Sequence, residues 1–277
     1  MPTVTYSKNV FLPLTNACRN ACAYCGFRSD EPTIMERREV LSVLKSGRKA
    51  GCKEALFTFG ERPESNDRIK KTLHGWGYAN MTEYLLDLCR DAIRLGLLPH
   101  TNAGILERDE MMALKEVNAS MGLMLESASE RLCGKGMPHE NSPGKLPEVR
   151  LEAIKNAGKL KIPFTTGLLI GIGETPEEVL YSIEKIKGLN DRHQHIQEVI
   201  IQNFKPKAGT RMEGRPEPGP KQMVDAVRTV MAVMPDMHVQ VPPNLNPETW
   251  PALVSEGVDD IGGIPPTTKD YINPEAE

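Results

Sequence analysis

Three cysteines within eight residues are the feature of this sequence with the clearest chemistry. Cys18, Cys22 and Cys25 have the spacing C-x3-C-x2-C and follow the apolar run 10–14, which predicts a short strand that ends in a loop. Thiolates are the usual protein ligands of iron–sulfur clusters. A four-iron cluster normally takes four cysteines, so three leave one iron open to a non-protein ligand, as in open metal sites. The stretch therefore predicts a cluster with one open coordination position.

Two other interpretations fit the same spacing. Positions i, i+4 and i+7 also form one face of a helix, so the cysteines could be small apolar residues packed on a core. The polar neighbours Asn16, Arg19 and Asn20 disfavour such a core position. A structural zinc site would need a fourth cysteine or histidine at nearby ligand spacing, and Cys52 and His74 are not so placed.

Composition narrows the class of protein. The chain has 277 residues, 39% of them hydrophobic, and a formal net charge of −3, so no basic field predicts nucleic-acid binding. No apolar run approaches the ~20 residues of a membrane span. The start of the chain has no basic and apolar leader, and six cysteines in a chain of this size do not predict a disulfide framework. We expect a cytoplasmic protein that binds neither nucleic acid nor membrane.

Short apolar runs alternate with longer amphipathic ones, which predicts βα units and a parallel sheet. We expect one domain over 1–277, with a core at about 9–241 and an irregular tail at 242–277. The predicted strands are 9–15, 55–59, 97–103, 121–125, 164–170, 199–204 and 238–241. The predicted helices are 33–50, 80–95, 107–118, 148–160, 176–188 and 221–234. Residues 61–79 and 128–147 are predicted to be loops.

Polar residues follow nearly every predicted strand. They are Thr15, Asn16, Gly60, Glu61, Thr101, Asn102, Glu126, Ser127, Gly171 to Glu174, Gln202, Asn203 and Asn244. In a βα barrel all the strand ends meet at one face, where the active site lies. A doubly wound sheet would concentrate its site at one switch point instead. The many polar strand ends favour a barrel that is not fully closed.

The cysteine triplet, with the aromatic Tyr24 before its last member, resembles the signature of radical S-adenosylmethionine (SAM) enzymes. Further stretches over almost the whole chain resemble the FO synthase family, subunit 1, that is, 7,8-didemethyl-8-hydroxy-5-deazariboflavin synthases. These stretches are residues 6–11, 55–64, 98–102, 121–127, 161–167, 195–204, 241–245 and 270–274. As members of the family continue past the region of residue 275, the resemblance implies that the tail is short.

The resemblance implies a fold, two cofactors and a reaction. The fold would be an α/β, partial (β/α)6 TIM-type barrel that holds one [4Fe-4S] cluster, with SAM on the open iron. Cleavage of SAM would give a 5'-deoxyadenosyl radical. The substrate would be 5-amino-5-(4-hydroxybenzyl)-6-(D-ribitylimino)-5,6-dihydrouracil, the adduct that the partner subunit makes from tyrosine. Its oxidative cyclisation with loss of ammonia would give the deazaflavin FO, which makes the enzyme a carbon–nitrogen lyase with an external electron donor.

The resemblance also assigns residues. Cys18, Cys22 and Cys25 would be the cluster ligands, and Tyr24 would lie near the adenine of SAM. Gly60 and Glu61 occupy the turn that contacts the methionine amino group, although this turn has a single glycine. Glu126 and Ser127 would suit the ribose or carboxylate, and Ile170, within the segment 167–174, would support the adenine. His100, at a polar strand end, is a candidate to contact substrate.

Other functions stay open at this point. Within radical SAM enzymes, the chain could catalyse the partner subunit's tyrosine chemistry or a biotin-synthase-like sulfur insertion. From a different class, it could be a ferredoxin-like electron carrier or a zinc-stapled binding module. Formation of 5'-deoxyadenosine would separate the enzymes from the carrier and the module.

Overall fold

A computed structural model describes residues 3–269 and 272 of the chain. The predicted stretch 270–274 therefore lies outside the described residues, except for residue 272. Nine strands are described: β1 (Thr5–Ser7), β2 (Asn9–Pro13), β3 (Glu54–Thr58), β4 (Leu98–Asn102), β5 (Ser120–Gly122), β6 (Phe164–Ile170), β7 (Ile196–Asn203), β8 (His238–Gln240) and β9 (Asp260–Gly263). The α-helices are α1 (Arg37–Lys49), α2 (Asp67–Gly75), α3 (Met81–Arg94), α4 (Arg108–Lys115), α5 (Pro147–Lys159), α6 (Pro176–His193), α7 (Pro220–Val233) and α8 (Trp250–Ser255).

All neighbouring strands are parallel, in the order β1-β9-β8-β7-β6-β5-β4-β3-β2. The two outer strands are two parts of one segment, because only Lys8 separates β1 from β2. The first part pairs with β9 and the second with β3. One continuous segment thus supplies both edges of the sheet, and the sheet forms a nearly closed barrel. The predicted TIM-type α/β barrel is confirmed, with nine described strands rather than six.

The alternation of side chains along the strands separates the barrel interior from the helix layer. In β3, Ala55 and Phe57 are fully buried in the apolar core shared with the helices. Leu56 and Thr58, one residue further on each time, line a cavity inside the barrel. Apolar side chains therefore attach the helices, and the alternate positions are available for chemistry.

Two regions that the sequence predicts to be irregular contain regular secondary structure, so both predictions are wrong. Residues 61–79 contain α2, which begins after Asn66, whose side chain accepts the N–H groups of Arg68 (3.0 Å) and Ile69 (3.3 Å). Ile69 and Leu73, four residues apart, bury one face of this short helix. Its few apolar residues are diluted by polar ones, so the pattern did not stand out.

The tail was also predicted to be irregular, and it contains α8 and β9. Leu253 and Val258 are buried in the main core, and β9 pairs with both β1 and β8. Residues 260–263 complete the barrel, so the core extends well beyond 241. The glycines of β9 weakened its strand signal. In the part of the chain that the structure describes, no helix has the length and apolar character that crossing a bilayer requires.

Candidate active site

A cavity of about 970 Å³ opens at the carboxyl ends of the strands. Its walls include seven of the polar strand-end residues identified in the sequence, which are Gly60, Glu61, Asn102, Glu126, Gln202, Asn203 and Asn244. Residues 242–245, 261 and 263–269 of the predicted tail form another part of the wall. The expected convergence of strand ends on one face is therefore observed, with the C-terminal segment lying over it.

Cys18, Cys22 and Cys25 all line this cavity, and all three are partly exposed free thiols. The loop that carries them is held at two points by the segment before α5. The backbone N–H of Ala21 donates to Ser142 Oγ at 3.1 Å, and the N–H of Gly144 donates to the Asn20 side chain at 2.9 Å. The loop after β2 is thus fastened to a segment more than a hundred residues later in the chain.

Gly60, directly after β3 and Phe59, allows the cysteine loop to approach the strand end. A Cβ at this position would lie 2.0 Å from the Ala17 carbonyl oxygen and 2.7 Å from Cys18 Cβ. The next residue donates its backbone N–H to Cys18 Sγ, with a Glu61 N to Sγ distance of 3.2 Å. The single glycine of this turn therefore has a steric role next to the first cysteine.

Burial raises the pKa of the Cys18 and Cys22 thiols. A backbone hydrogen bond at Asn20 opposes this for Cys18, and the charge of Lys145 opposes it for Cys22. A bound metal centre stabilises thiolates in such surroundings, because a coordinating thiol is deprotonated. Three thiols on one cavity surface, with a cation and a backbone N–H beside them, fit a thiolate-bound centre.

Among residues 3–269 and 272, no three histidine, cysteine or carboxylate side chains converge closely enough to hold one metal ion. The zinc-module interpretation therefore finds no ligand set in the described part of the chain. The thiolates of a four-iron cluster each bind a different iron atom and need not converge on one point.

Glu126, on the cavity wall, lies at the centre of a group of side chains that contact its carboxylate, which we call the Glu126 network: Tyr24, Glu126, His139, Lys145 and Arg150. Its carboxylate accepts hydrogen bonds from Tyr24 and Lys145, and it lies 3.3 Å from His139 Nε2 and 3.9 Å from Arg150 Nη1. Burial alone would raise the pKa of Glu126, but the charges of Lys145 and Arg150 and the contact with His139 hold the pKa well below its usual range. Glu126 is therefore a carboxylate in the folded protein.

The backbone of Glu126 is unusual as well. Its φ of 65° lies in the left-handed region, where residues other than glycine pay a steric cost. Hydrogen bonds to β6 fix it there, from Glu126 N to Gly167 O (2.9 Å) and from Leu169 N to Glu126 O (3.1 Å). Strain of this kind concentrates at functional sites.

Of the network, the sequence predicts Tyr24 and Glu126 as site residues but not the other three. His139 and Lys145 lie in the segment 128–147, which has no periodic pattern to predict which way their side chains point. Arg150 did carry a signal. It shares the buried face of α5 with Ala153, Ile154 and Ala157, and a charged residue at a core position requires partners. Its guanidinium donates to the carbonyls of Met124 and Gly144.

Glu61 lines the cavity but is engaged by the protein. Its carboxylate pairs with Arg19 Nε at 2.7 Å and accepts the N–H of Ile105 at 3.2 Å, and only 3% of the residue is exposed. The contact predicted at this turn therefore depends on Gly60, which lines the cavity, rather than on a free Glu61 carboxylate.

Three predicted site residues do not line the cavity. The Ser127 hydroxyl accepts the N–H of Ser129 at 3.1 Å, and Ile170 is packed in the main core while its neighbour Leu169 faces the cavity. His100 points into the barrel below the cavity, with Nδ1 2.7 Å from Ser120 Oγ. Burial lowers the pKa of His100 to about 4, so the ring is neutral at neutral pH. The structure thus gives His100 no position from which to contact a ligand in the cavity.

Comparison with known proteins adds to this geometry. Residues 12–186 match the model of the Radical SAM superfamily. The chain is 55% identical over 275 residues to the 7,8-didemethyl-8-hydroxy-5-deazariboflavin synthase of Methanocaldococcus jannaschii, covering 99% of this chain and 76% of the relative. The protein of the same name from Archaeoglobus fulgidus is 54% identical over 278 residues, covering 100% of this chain and 83% of the relative.

Solved structures resemble the fold at lower identity. Methylornithine synthase superposes with a TM-score of 0.73 at 18% identity, covering 96% of this chain and 74% of that one. The FeFe-hydrogenase maturase HydG from Carboxydothermus hydrogenoformans superposes with a TM-score of 0.76 at 21% identity, covering 94% and 58%. At these identities the likeness supports the fold alone.

Proposed function

The chain belongs to the radical SAM superfamily and, within it, to the family of 7,8-didemethyl-8-hydroxy-5-deazariboflavin (FO) synthases, and from this premise we propose how its residues serve that reaction. Membership of the superfamily implies a [4Fe-4S] cluster and SAM as cofactors. We assign Cys18, Cys22 and Cys25 as the three protein ligands of the cluster, with SAM completing the fourth iron. When bound, the reduced cluster supplies the electron that cleaves SAM to methionine and a 5'-deoxyadenosyl radical.

The cysteine positions carry this proposal. All three thiols lie on the surface of one cavity, together with Tyr24 from the same loop, Gly60 and Glu61 from the turn after β3, and Glu126. The core-packing interpretation would have placed them among apolar side chains, whereas each of the three is partly exposed.

The charged groups beside the cysteines suit a zwitterionic ligand. SAM carries an ammonium, a carboxylate and a sulfonium, so its site needs both signs of charge. The pair Lys145–Glu126 supplies both at the cavity wall, and Glu61, which also lines the cavity, is paired with Arg19. Tyr24 presents its ring beside them, where it can pack on the adenine while its hydroxyl donates to Glu126.

The substrate in this proposal is the hydroxybenzyl adduct of a ribityl-amino-uracil, which a partner subunit makes from tyrosine and which is converted to FO by oxidative cyclisation with loss of ammonia. The electron would come from an external donor. The cavity of about 970 Å³ has room for both SAM and a substrate of this size. Residues 242–245, 261 and 263–269 of the C-terminal part of the chain form part of its wall.

The test is anaerobic reconstitution of the full chain with iron and sulfide. The iron content is measured first, then 5'-deoxyadenosine after addition of a reductant and SAM, and finally deazaflavin fluorescence after addition of the adduct. We expect iron binding, 5'-deoxyadenosine and FO. Replacement by serine in Cys18→Ser, Cys22→Ser or Cys25→Ser removes a ligand, and we expect both products to fall to background.

Cys133→Ser is the matched control, because Cys133 is also a partly exposed thiol but does not line the cavity. We expect this variant to keep its iron and its turnover. Full turnover in any of the three ligand variants would refute the ligand assignment. Formation of 5'-deoxyadenosine without FO would instead assign another radical SAM reaction to the chain.

A further inference from the structure

Besides Asn203, whose side chain is hydrogen-bonded to Leu245 and Asn246, four carboxamides from four different strands face the cavity. Asn9, Asn102, Gln202 and Gln240 all line it, from β2, β4, β7 and β8, and we call them the carboxamide wall. Within residues 3–269 and 272, the side chains of Asn102, Gln202 and Gln240 make no hydrogen bond. Asn9 is 2% exposed, and its Oδ1 has no hydrogen-bond partner in the same part of the chain.

A buried carbonyl oxygen without a partner is rare in native proteins, because it loses its hydrogen bonds to water and gains none. Burial raises the pKa of the neighbouring Glu54 carboxyl, and hydrogen bonds from the side chains of Ser7 and Asn9 oppose this, so the Asn9 amide has a partner on its donor side but none on its oxygen. A polar group left unpaired at a cavity wall is instead what a site for a hydrogen-bonding ligand requires.

The glycines of β9 make room for two of these side chains. A Cβ at Gly263 would lie 2.2 Å from Asn9 Nδ2, and a Cβ at Gly262 would lie 2.3 Å from Gln240 Nε2. Gly262 also has a φ of 76°, in the region that favours glycine. The backbone of β9 therefore forms a shelf on which the amides of Asn9 and Gln240 lie from its two sides.

We propose that Asn9 and Gln240 bind the imide edge of the uracil ring of the substrate, an inference that rests on the function proposed above. That edge presents a ring N–H between two carbonyl oxygens. A carboxamide presents one acceptor and one donor group side by side, which is the complement used when Asn and Gln read an adenine edge. The unpaired Asn9 Oδ1 accepts the ring N–H, and the NH2 groups of the two side chains donate to the carbonyls on either side.

This assignment orients the substrate without entering the chemistry. The imide edge is the same in the adduct and in FO, and its ring N–H lies across the pyrimidine ring from the carbon that carries the ribityl-imino group. Binding that edge at the Asn9 end of the cavity directs the ribityl-bearing side of the ring away from the shelf of β9, while the hydroxybenzyl carbon lies next to one of the two imide carbonyls. Both side chains are uncharged, so recognition at this edge does not depend on ionisation.

The probe is FO itself, whose fluorescence reports binding without turnover, compared with FO methylated on the imide nitrogen. The methyl group removes the donor and blocks the edge. We expect the wild-type chain to bind FO about ten- to hundredfold more tightly than the methylated compound. In Asn9→Leu and Gln240→Met that ratio is expected to fall to near one, mainly through weaker binding of FO.

Gln197→Met is the matched control, since Gln197 lies on β7 but is exposed on the outside of the barrel. It is expected to keep the wild-type ratio. Gln240→Glu is a second variant of nearly unchanged shape, which removes one donor and is expected to lower the ratio even where the apolar variants fold poorly. Equal binding of the two compounds by the wild type, or an undiminished ratio in Asn9→Leu and Gln240→Glu, would overturn the proposal.

The experiments distinguish failure of the imide contact from failure of the proposed function. A wild-type chain that converts the adduct to FO but binds the two compounds equally refutes the imide contact alone. A chain that discriminates between them through Asn9 and Gln240 but forms no FO supports the contact and refutes the proposed reaction.

Discussion

The Glu126 network and the carboxamide wall line the same cavity but treat their polar groups in opposite ways. In the network, the charges of Glu126, Lys145 and Arg150 are paired with one another inside the protein. On the carboxamide wall, Asn9 and Gln240 are neutral, and the oxygen of Asn9 is buried without a partner. An unpaired buried charge costs far more than an unpaired amide. A fold can therefore leave amides open for a ligand, whereas it must pair its charges in advance.

The largest effect is expected where the pairing is broken. Glu126→Gln leaves the cations of Lys145 and Arg150 without their carboxylate in a buried site, and we expect a loss of about 3 kcal/mol in unfolding free energy. Urea unfolding of the two proteins measures it. The exposed pair of Arg228 and Glu256 is the control, with Arg228 59% and Glu256 28% exposed, and Glu256→Gln is expected to change stability far less. Equal losses of unfolding free energy in the two variants would show that pairing the buried charges matters no more for stability than pairing exposed ones.

His100 sharpens the comparison, since it is a titratable group whose observed partner is the neutral hydroxyl of Ser120. Burial lowers the pKa of His100 to about 4. Between about pH 6.5 and pH 4, the ring is therefore protonated in the unfolded chain but neutral in the folded chain. The unfolding free energy should therefore fall as the pH falls through this range, by about 3 kcal/mol in total from this group.

The measurement compares the wild type with His100→Asn by urea unfolding at several pH values between 7 and 4. The difference between the two proteins cancels the carboxylates that both contain. A wild type that loses no more stability than the variant on acidification would show that His100 is charged in the folded protein.

The smallest effect is expected on the carboxamide wall. Gly263→Ala places a methyl group against Asn9 Nδ2 and should displace that amide, so we expect FO to bind about tenfold more weakly. Iron content and the formation of 5'-deoxyadenosine should stay unchanged, because the substitution lies away from the cysteines. Gly188→Ala is the control, as a Cβ there meets no atom within 4 Å. Unchanged FO affinity in Gly263→Ala would mean that the shelf does not position Asn9.

The sequence predicted most of this architecture because its signals are local. Alternating apolar runs predicted the βα units, and the polar strand ends predicted the convergence on one face. The helix at 67–75 escaped notice because two apolar residues, Ile69 and Leu73, carry its buried face. The strand at 260–263 was not predicted because glycine has a low strand propensity. Its glycines make room for the side chains of neighbouring strands instead.

The lining of the cavity was predicted where a residue type is informative on its own, as for the cysteine triplet, Tyr24 and Glu126. It was not predicted where the role of a residue depends on a distant partner. The roles of Lys145 and His139 depend on their contacts with Glu126. Asn9 lies at the start of its strand and reaches the cavity only because the barrel places it beside Gly263. Ser127 was grouped with Glu126 by adjacency, yet neighbouring residues point in different directions.

The segment on both sides of Lys8 has a consequence for biosynthesis. Thr5 is translated 255 positions before its partner Asp260. Strand β1 therefore stays unpaired on this side until residue 260 has been translated. Such distant pairings make folding slow, and a waiting strand edge invites aggregation. Ribosome-bound nascent chains that end before residue 260 should therefore be protease-sensitive at residues 5–7.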